Sequence, residues 1–162
     1  MIEFRRAQAA DMDKILAIYE DARAFMKRSG NPDQWKSYPE EKILLEDIEK
    51  DRLYVAPENE QILAVFCYFS GDDPTYAEID GAWKNSLPYG VIHRIAVSGA
   101  ARGKGIAARC FDFAFSACGN LKIDTHKDNI PMQRALEKCG FEYCGVIRIE
   151  SGDERIAFQK VN

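Results

Sequence analysis

The chain has 162 residues, 46% apolar and 30% charged, with 22 Lys and Arg against 26 Asp and Glu for a net charge of −4. That length supports one domain with a real core, so residues 1–162 are read as a single unit. The acidic balance argues against general nucleic-acid binding and suits a cationic substrate.

No apolar run approaches the roughly 20 residues that a membrane span needs. The first residues, Met-Ile-Glu-Phe-Arg-Arg, lack the apolar stretch of a signal peptide. Five cysteines (67, 110, 118, 139 and 144) have no CxxC spacing and read as reduced thiols of a cytoplasmic protein. With only two histidines, His93 and His126, no metal site is expected.

In chain order, Ile2 to Arg6 alternates as a first strand. Asp11 is placed to cap a helix running to about Arg28, with Ile15, Ile18, Tyr19, Ala22, Phe25 and Met26 on one face. Ser29-Gly30-Asn31-Pro32 breaks it. Ser37-Tyr38-Pro39-Glu40 has the capping-box pattern for a second helix to about Lys50. Arg52–Ala56 and Gln61–Phe69 read as an antiparallel hairpin, the latter apolar on both faces and so central in a sheet. Residues 71–88 form a long polar and aromatic loop, a kind that is usually functional when ordered.

Val91–Val97 is the next strand, followed by Arg102-Gly103-Lys104-Gly105 and a helix from Ile106. A strand, a glycine turn and a helix start present unpaired N–H groups and the positive end of a helix dipole. That is an anion site suited to phosphate, with charge added by Arg102, Lys104 and Arg109. Leu121–Thr125 is a strand, Asn129 caps a helix that stops at Gly140, and Phe141–Ile149 with Arg155–Val161 closes as a hairpin. The expected fold is mixed α+β: a mostly antiparallel, twisted sheet of about seven strands with about four helices on its faces.

Gly103-Lys104-Gly105-Ile106-Ala107-Ala108 fits the dinucleotide pattern G-x-G-x-x-A, with Asp124 about 20 residues on at the end of the next strand. The remaining residues, 125–162, read as a helix and an antiparallel hairpin and cannot complete a doubly wound sheet. A Walker loop fails because Gly105, not Ser or Thr, follows Lys104.

The chain resembles the GNAT superfamily of N-acetyltransferases. The resemblance rests on Arg102-Gly103-Lys104-Gly105-Ile106-Ala107 after Ile95-Ala96-Val97, on Asp128-Asn129-Ile130-Pro131-Met132, and on Glu137-Lys138-Cys139-Gly140-Phe141, in that order. It implies acetyl-CoA as co-substrate and no metal. The pyrophosphate would lie on the amides of Gly103, Lys104, Gly105, Ile106 and Ala107, beside Arg102. The pantetheine arm would pair with Ile95 and Val97 along the Ile95-Ala96-Val97 strand end, and Asn129 would reach it, unless it serves only as a helix cap.

The resemblance further implies direct attack by a primary amine of a small molecule or peptide. His93 stands where the aralkylamine acetyltransferases of the superfamily carry a catalytic histidine, and strand alternation puts it on the face of Ile95 and Val97. A structural histidine is the competing reading. The glutamate of the protein-lysine acetyltransferases would fall at Val91, and the tyrosine that many members use as general acid is Leu136 here, leaving Tyr143 or water for that role, or departure of the thiolate unprotonated. Asp124 and His126 share a strand face and are placed to pair.

Trp35, Tyr38, Tyr76 and Trp83 are candidates for the amine pocket, with Asp33 or Asp80 to attract a cation. A homodimer is compatible with these readings. The rival readings are a CoA-binding module without turnover and, more remotely, a dinucleotide-binding protein.

Overall fold

A computed structural model of the chain describes residues 2–162. Eight strands and four α-helices follow one another as β1 (Arg5–Arg6), α1 (Met12–Arg28), α2 (Glu41–Glu49), β2 (Leu53–Glu58), β3 (Gln61–Ser70), β4 (Asp80–Gly81), β5 (Gly90–Val97), α3 (Ile106–Cys118), β6 (Asn120–Thr125), α4 (Ile130–Lys138), β7 (Glu142–Arg148) and β8 (Glu154–Val161). All eight strands join one sheet in the order β1-β2-β3-β5-β6-β8-β7-β4. Only β5 and β6 run parallel, because the α3 crossover links them.

The strand in excess of the expected seven is β4, two residues inside the long loop that pair with Val146 and Gly145. Its sequence, Asp-Gly, carries no strand signal. The second helix starts at Glu41 behind Glu40, which makes no side-chain capping bond, so the capping box expected from Ser37 is not formed.

The doubly apolar sequence of β3 is explained by helices on both sides. Ala64 and Phe66 face α3, whereas Val65 and Cys67 face α1 and Leu44 of α2. Farther along the α1 side, the loop before β5 closes the sheet itself. Tyr76 is buried there against Val91, Ile147 and Ala157, with Trp83 and Tyr89 packed behind.

Two irregularities of β5 shape everything near it. First, β5 meets β6 only at Gly90–Leu121 and Val91–Lys122, after which the two parallel strands separate. Second, the ladder with β3 slips between Cys67–His93 and Val65–Ala96, so β5 carries one extra residue. Within that bulge Arg94 adopts φ 55°, a left-handed conformation that costs a residue with a Cβ about 1–2 kcal/mol.

Three partners hold Arg94 there. The Tyr19 hydroxyl donates to its carbonyl at 2.6 Å. Its guanidinium donates twice to Asp47, at 2.7 and 2.8 Å, and once to the Tyr38 hydroxyl at 2.8 Å. The bulge also breaks the expected alternation. Ile92, Ile95 and Val97 pack on the α3 side, while His93 lies opposite Cys67 and beside Tyr76, on the other face.

Candidate active site

The turn between β5 and α3 is built as an open cradle. Gly103 and Gly105 have φ 80° and 73°, and a Cβ added to either would meet nothing within 4 Å. Glycine is needed for the backbone angle, and the space in front of it is free. Among the described residues, the N–H groups of Gly103, Lys104 and Gly105 donate to no protein acceptor. The first N–H groups of α3 add to them, with the positive end of a 13-residue helix behind.

Ile106 buries its side chain in the core, and the small side chains of Ala107 and Ala108 leave the backbone of the first turn accessible. This cradle fits a diphosphate. Arg102 is tied elsewhere: it donates to Asp21 at 2.6 Å and lies over the Phe25 ring at 4.2 Å, so it braces the turn against α1. Lys104 and Arg109 are exposed at its rim.

The parting of β5 from β6 opens a cleft of about 810 Å³. Ile92 to Ile95 line one wall, Ile123, Asp124, Thr125 and Asn129 the other, and the loops 33–38 and 149–153 its mouth. Ser98 N donates to Leu63 O, which turns the amide groups of Ser98 toward β3. Alternation then directs those of Val97 away from β3, along the edge that β6 has left, where Arg102 donates to the Val97 carbonyl at 3.4 Å, with Ile95 the next position back. An extended amide-bearing chain can pair with such an edge.

Across the cleft floor lies a charged centre. His93 Nε2 is 2.5 Å from Asp73 Oδ2, and His93 Nδ1 is 3.9 Å from Asp124 Oδ2. A carboxylate accepts, so Nε2 carries a proton toward Asp73, and Nδ1 faces Asp124 and the cleft. Burial works to raise the Asp73 carboxyl, but His93 and two hydrogen bonds from Thr75 outweigh it and bring the pKa down to about 2. Asp124 accepts from the Tyr76 hydroxyl at 2.6 Å. The same tyrosine is 6.0 Å, ring to ring, from His93, and Phe69 stands at 5.9 Å.

Asp73 is the residue that sequence reasoning missed. It sits in the long loop, 20 positions before His93, and no local pattern links them. The signal available was the loop itself, whose length called for a function.

The sequence candidates divide clearly. Trp35, Tyr38 and Asp33 line the cleft. Tyr38 also holds Arg94, and Trp35 packs edge-on against Tyr19 at 5.7 Å. Tyr76 and Trp83 form a layer behind the floor: Tyr76 is buried, and Trp83 donates to the Tyr76 carbonyl at 3.0 Å and stacks under Lys122. Asp80 is exposed on β4, far from the cleft lining.

Asn129 reaches the cleft, but its carbonyl oxygen caps α4 and its amide donates to Gln34 at 2.9 Å. Tyr143 must be withdrawn as an acid. It is 59% exposed on β7, against Phe158, with β8 and β6 between it and His93. Asp124 and His126 do not pair either; His126 Nδ1 accepts from Asp128 N at 3.0 Å. Leu136 is fully buried in the core, so nothing in the position of the usual tyrosine reaches the cleft.

The family sequence model described as "Acetyltransferase (GNAT) family" matches residues 15–141. The chain belongs to the GNAT family. A GNAT-family acetyltransferase from Streptococcus agalactiae 2603 shares 30% identity over 99% of this chain and 95% of that one, with a TM-score of 0.91. At lower identity the fold alone is shared. A GNAT-family acetyltransferase from Listeria monocytogenes 4b F2365 has 18% identity, 98% and 94% coverage and a TM-score of 0.74. A ribosomal-protein-alanine N-acetyltransferase from Brucella melitensis has 20% identity, 99% coverage of both chains and a TM-score of 0.66. No curated protein gives a significant match. Among the described residues, no helix of this GNAT protein is long and apolar enough to cross a membrane.

Proposed function

We propose that this GNAT protein is an acetyl-CoA-dependent N-acetyltransferase that acts on a primary amine by direct attack, with His93 as general base. The observation that carries the reading is the His93 ring, fixed by Asp73 on one nitrogen and open to the cleft on the other. Acetyl-CoA supplies an activated acetyl thioester. The cradle of Gly103, Lys104, Gly105, Ile106 and Ala107 would hold its diphosphate, and the free edge at Ile95 and Val97 its amide-bearing arm.

A primary amine has a pKa around 10.4 and arrives protonated at neutral pH. Asp124 and Asp33 draw the ammonium into the cleft. His93 Nδ1 takes its proton, directly or through water, and Asp73 stabilises the imidazolium that results. Asp73 remains ionised throughout, because its pKa near 2 lies far below neutrality. N–H groups on the free edge of β5 are the chain's donors to the thioester oxygen.

No cysteine lines the cleft, and burial pushes Cys67 and Cys110 each up to about 12, which keeps them as thiols. An attack without a covalent enzyme intermediate agrees with that. Leu136 stands in the position of the usual tyrosine and Tyr143 lies outside the cleft, so the thiolate leaves unassisted or takes its proton from water. A thiol of pKa about 8.5 is a competent leaving group near neutral pH.

Thiol release with acetyl-CoA and a panel of amines tests the reading. Turnover that falls 100-fold or more in His93→Gln, with CoA affinity kept, is the expected result. Tight CoA binding with no turnover on any amine would instead make the protein a CoA-binding module, and preference for NAD over CoA would overturn the acetyl-CoA reading.

A further inference from the structure

Arg155 is an arginine inside the cleft that, among the described residues, makes no ion pair. Only 7% of it is exposed, and it lines the cleft wall. Its guanidinium donates to two carbonyls, Glu154 O at 2.9 Å and Gln34 O at 3.3 Å. Among the described residues no carboxylate lies within 4.0 Å of it, whereas the other cleft guanidinium, Arg94, is clasped on two nitrogens by Asp47. A buried charge is ordinarily paired. Its field is felt nearby: burial lowers the pKa of His126, and Arg155 lowers it further.

Sheet register places this charge relative to the proposed base. Asp124 pairs with Ala157, and Arg155 is two residues from Ala157 on the same face of β8. Asp124 and Arg155 are therefore diagonal neighbours, with roots about 7–8 Å apart. On one short stretch of floor the cleft thus offers carboxylates for an ammonium and a desolvated guanidinium for an anion. A compact molecule with both charges matches that pair, and guanidinium is shaped to accept a carboxylate on two parallel bonds.

We infer that Arg155 is a specificity-determining residue, and that the acceptor is a small amine that also carries a carboxylate, of the amino-acid type. This rests on the acetyl-transfer reading for its chemistry, though not for its binding. The ammonium end would meet Asp124 and His93, and the carboxylate end Arg155.

The test uses free amino acids paired with their carboxamides, which differ only in the charge that Arg155 would read. Two quantities are measured on CoA-loaded protein: binding by saturation-transfer NMR, and kcat and KM by thiol release from acetyl-CoA. Wild type should favour an acid over its amide by about 10- to 100-fold, the worth of a charge-assisted hydrogen bond. Arg155→Gln should erase that preference mainly through KM, and Arg155→Lys should keep part of it.

A residue that only braces the loop at Gln34 would lower acid and amide together when replaced; that result overturns the inference. So does a wild type with no acid preference anywhere in the panel, absence of binding included. Acid-selective binding that Arg155→Gln removes, without turnover, supports the inference while refuting the acetyl-transfer reading. Turnover without acid selectivity does the reverse.

Discussion

Replacing Gly105 by glutamate separates the cost to the fold from the cost to the ligand. Gly105 has φ 73°, and a Cβ there would meet nothing within 4 Å. The protein therefore bears only left-handed strain, about 1–2 kcal/mol. For a chain of this size that is a fall of about 2–8 °C in Tm. The ligand fares worse. A carboxylate held about 4 Å from a phosphate charge repels it by about 1 kcal/mol in water and about 4 kcal/mol at a protein surface.

Against the two charges of a diphosphate the penalty is about 2–8 kcal/mol by the same arithmetic, a loss of at least about 30-fold in CoA affinity. Gly105→Ala carries the same strain without the charge and should bind CoA far better than Gly105→Glu at an equal Tm. Calorimetric titration of CoA and a thermal melt of each variant give both numbers. CoA binding by Gly105→Glu within about 3-fold of wild type, with the expected fall in Tm, would refute the cradle.

Other substitutions probe the cleft floor and its supports. His93→Gln should cut kcat by about 100- to 10,000-fold and remove the acidic limb of the pH–rate profile, with CoA affinity unchanged in titration. Asp73→Asn should be nearly as damaging, because the amide can donate to Nε2 and so leave the proton on Nδ1, where the base is needed; a kcat close to wild type would remove Asp73 from the mechanism. Asp73 also links stability to pH. Its carboxyl is lowered from an ordinary 3.8 to about 2 in the folded chain, so its contribution is complete above about pH 4 and lost as pH falls toward 2. Acid titration of urea midpoints should show about 2 kcal/mol more loss in wild type than in Asp73→Asn over that window. Asp47→Ala strands the Arg94 guanidinium and should destabilise the protein by about 3–5 kcal/mol in urea unfolding, with a fall in kcat because the β5 bulge loses its anchor.

Most of the fold was legible because its signals are local. The helical spacing of Ile15, Ile18, Tyr19 and Ala22 and the two-faced apolar run of β3 each survive intact in the structure. The cradle was legible for the same reason, since Gly103 and Gly105 stand next to the helix they serve. The floor of the candidate site was only half legible. His93 carried a family signature, but Asp73 reaches it from a loop whose path depends on Tyr76 being buried against Val91 and Ala157. Arg155 reads in sequence as an ordinary strand-end charge; only the burial of β8 beside the parting of β5 and β6 makes it exceptional. Tyr143 failed for the converse reason, because its number is close to the motif while its face points to solvent.

The error over the face of His93 leads to the function of the bulge. In a regular strand His93, Ile95 and Val97 would share one side, and the base would sit among the apolar side chains that pack on α3. The extra residue at Arg94 turns His93 to the opposite face, toward Asp73 and Tyr76, while Ile95 and Val97 keep their side chains in the core and their backbone on the open edge. On the proposed function, one strand would thereby offer main chain to the cofactor arm and the imidazole to an acceptor from the other side. The left-handed strain at Arg94 is the cost of that turn, and the Asp47, Tyr38 and Tyr19 contacts are what sustain it. On this reasoning Tyr38, which lines the cleft and holds Arg94 at once, couples the occupancy of the acceptor site to the geometry of the base, and Tyr38→Phe should change kcat while leaving CoA affinity where it was.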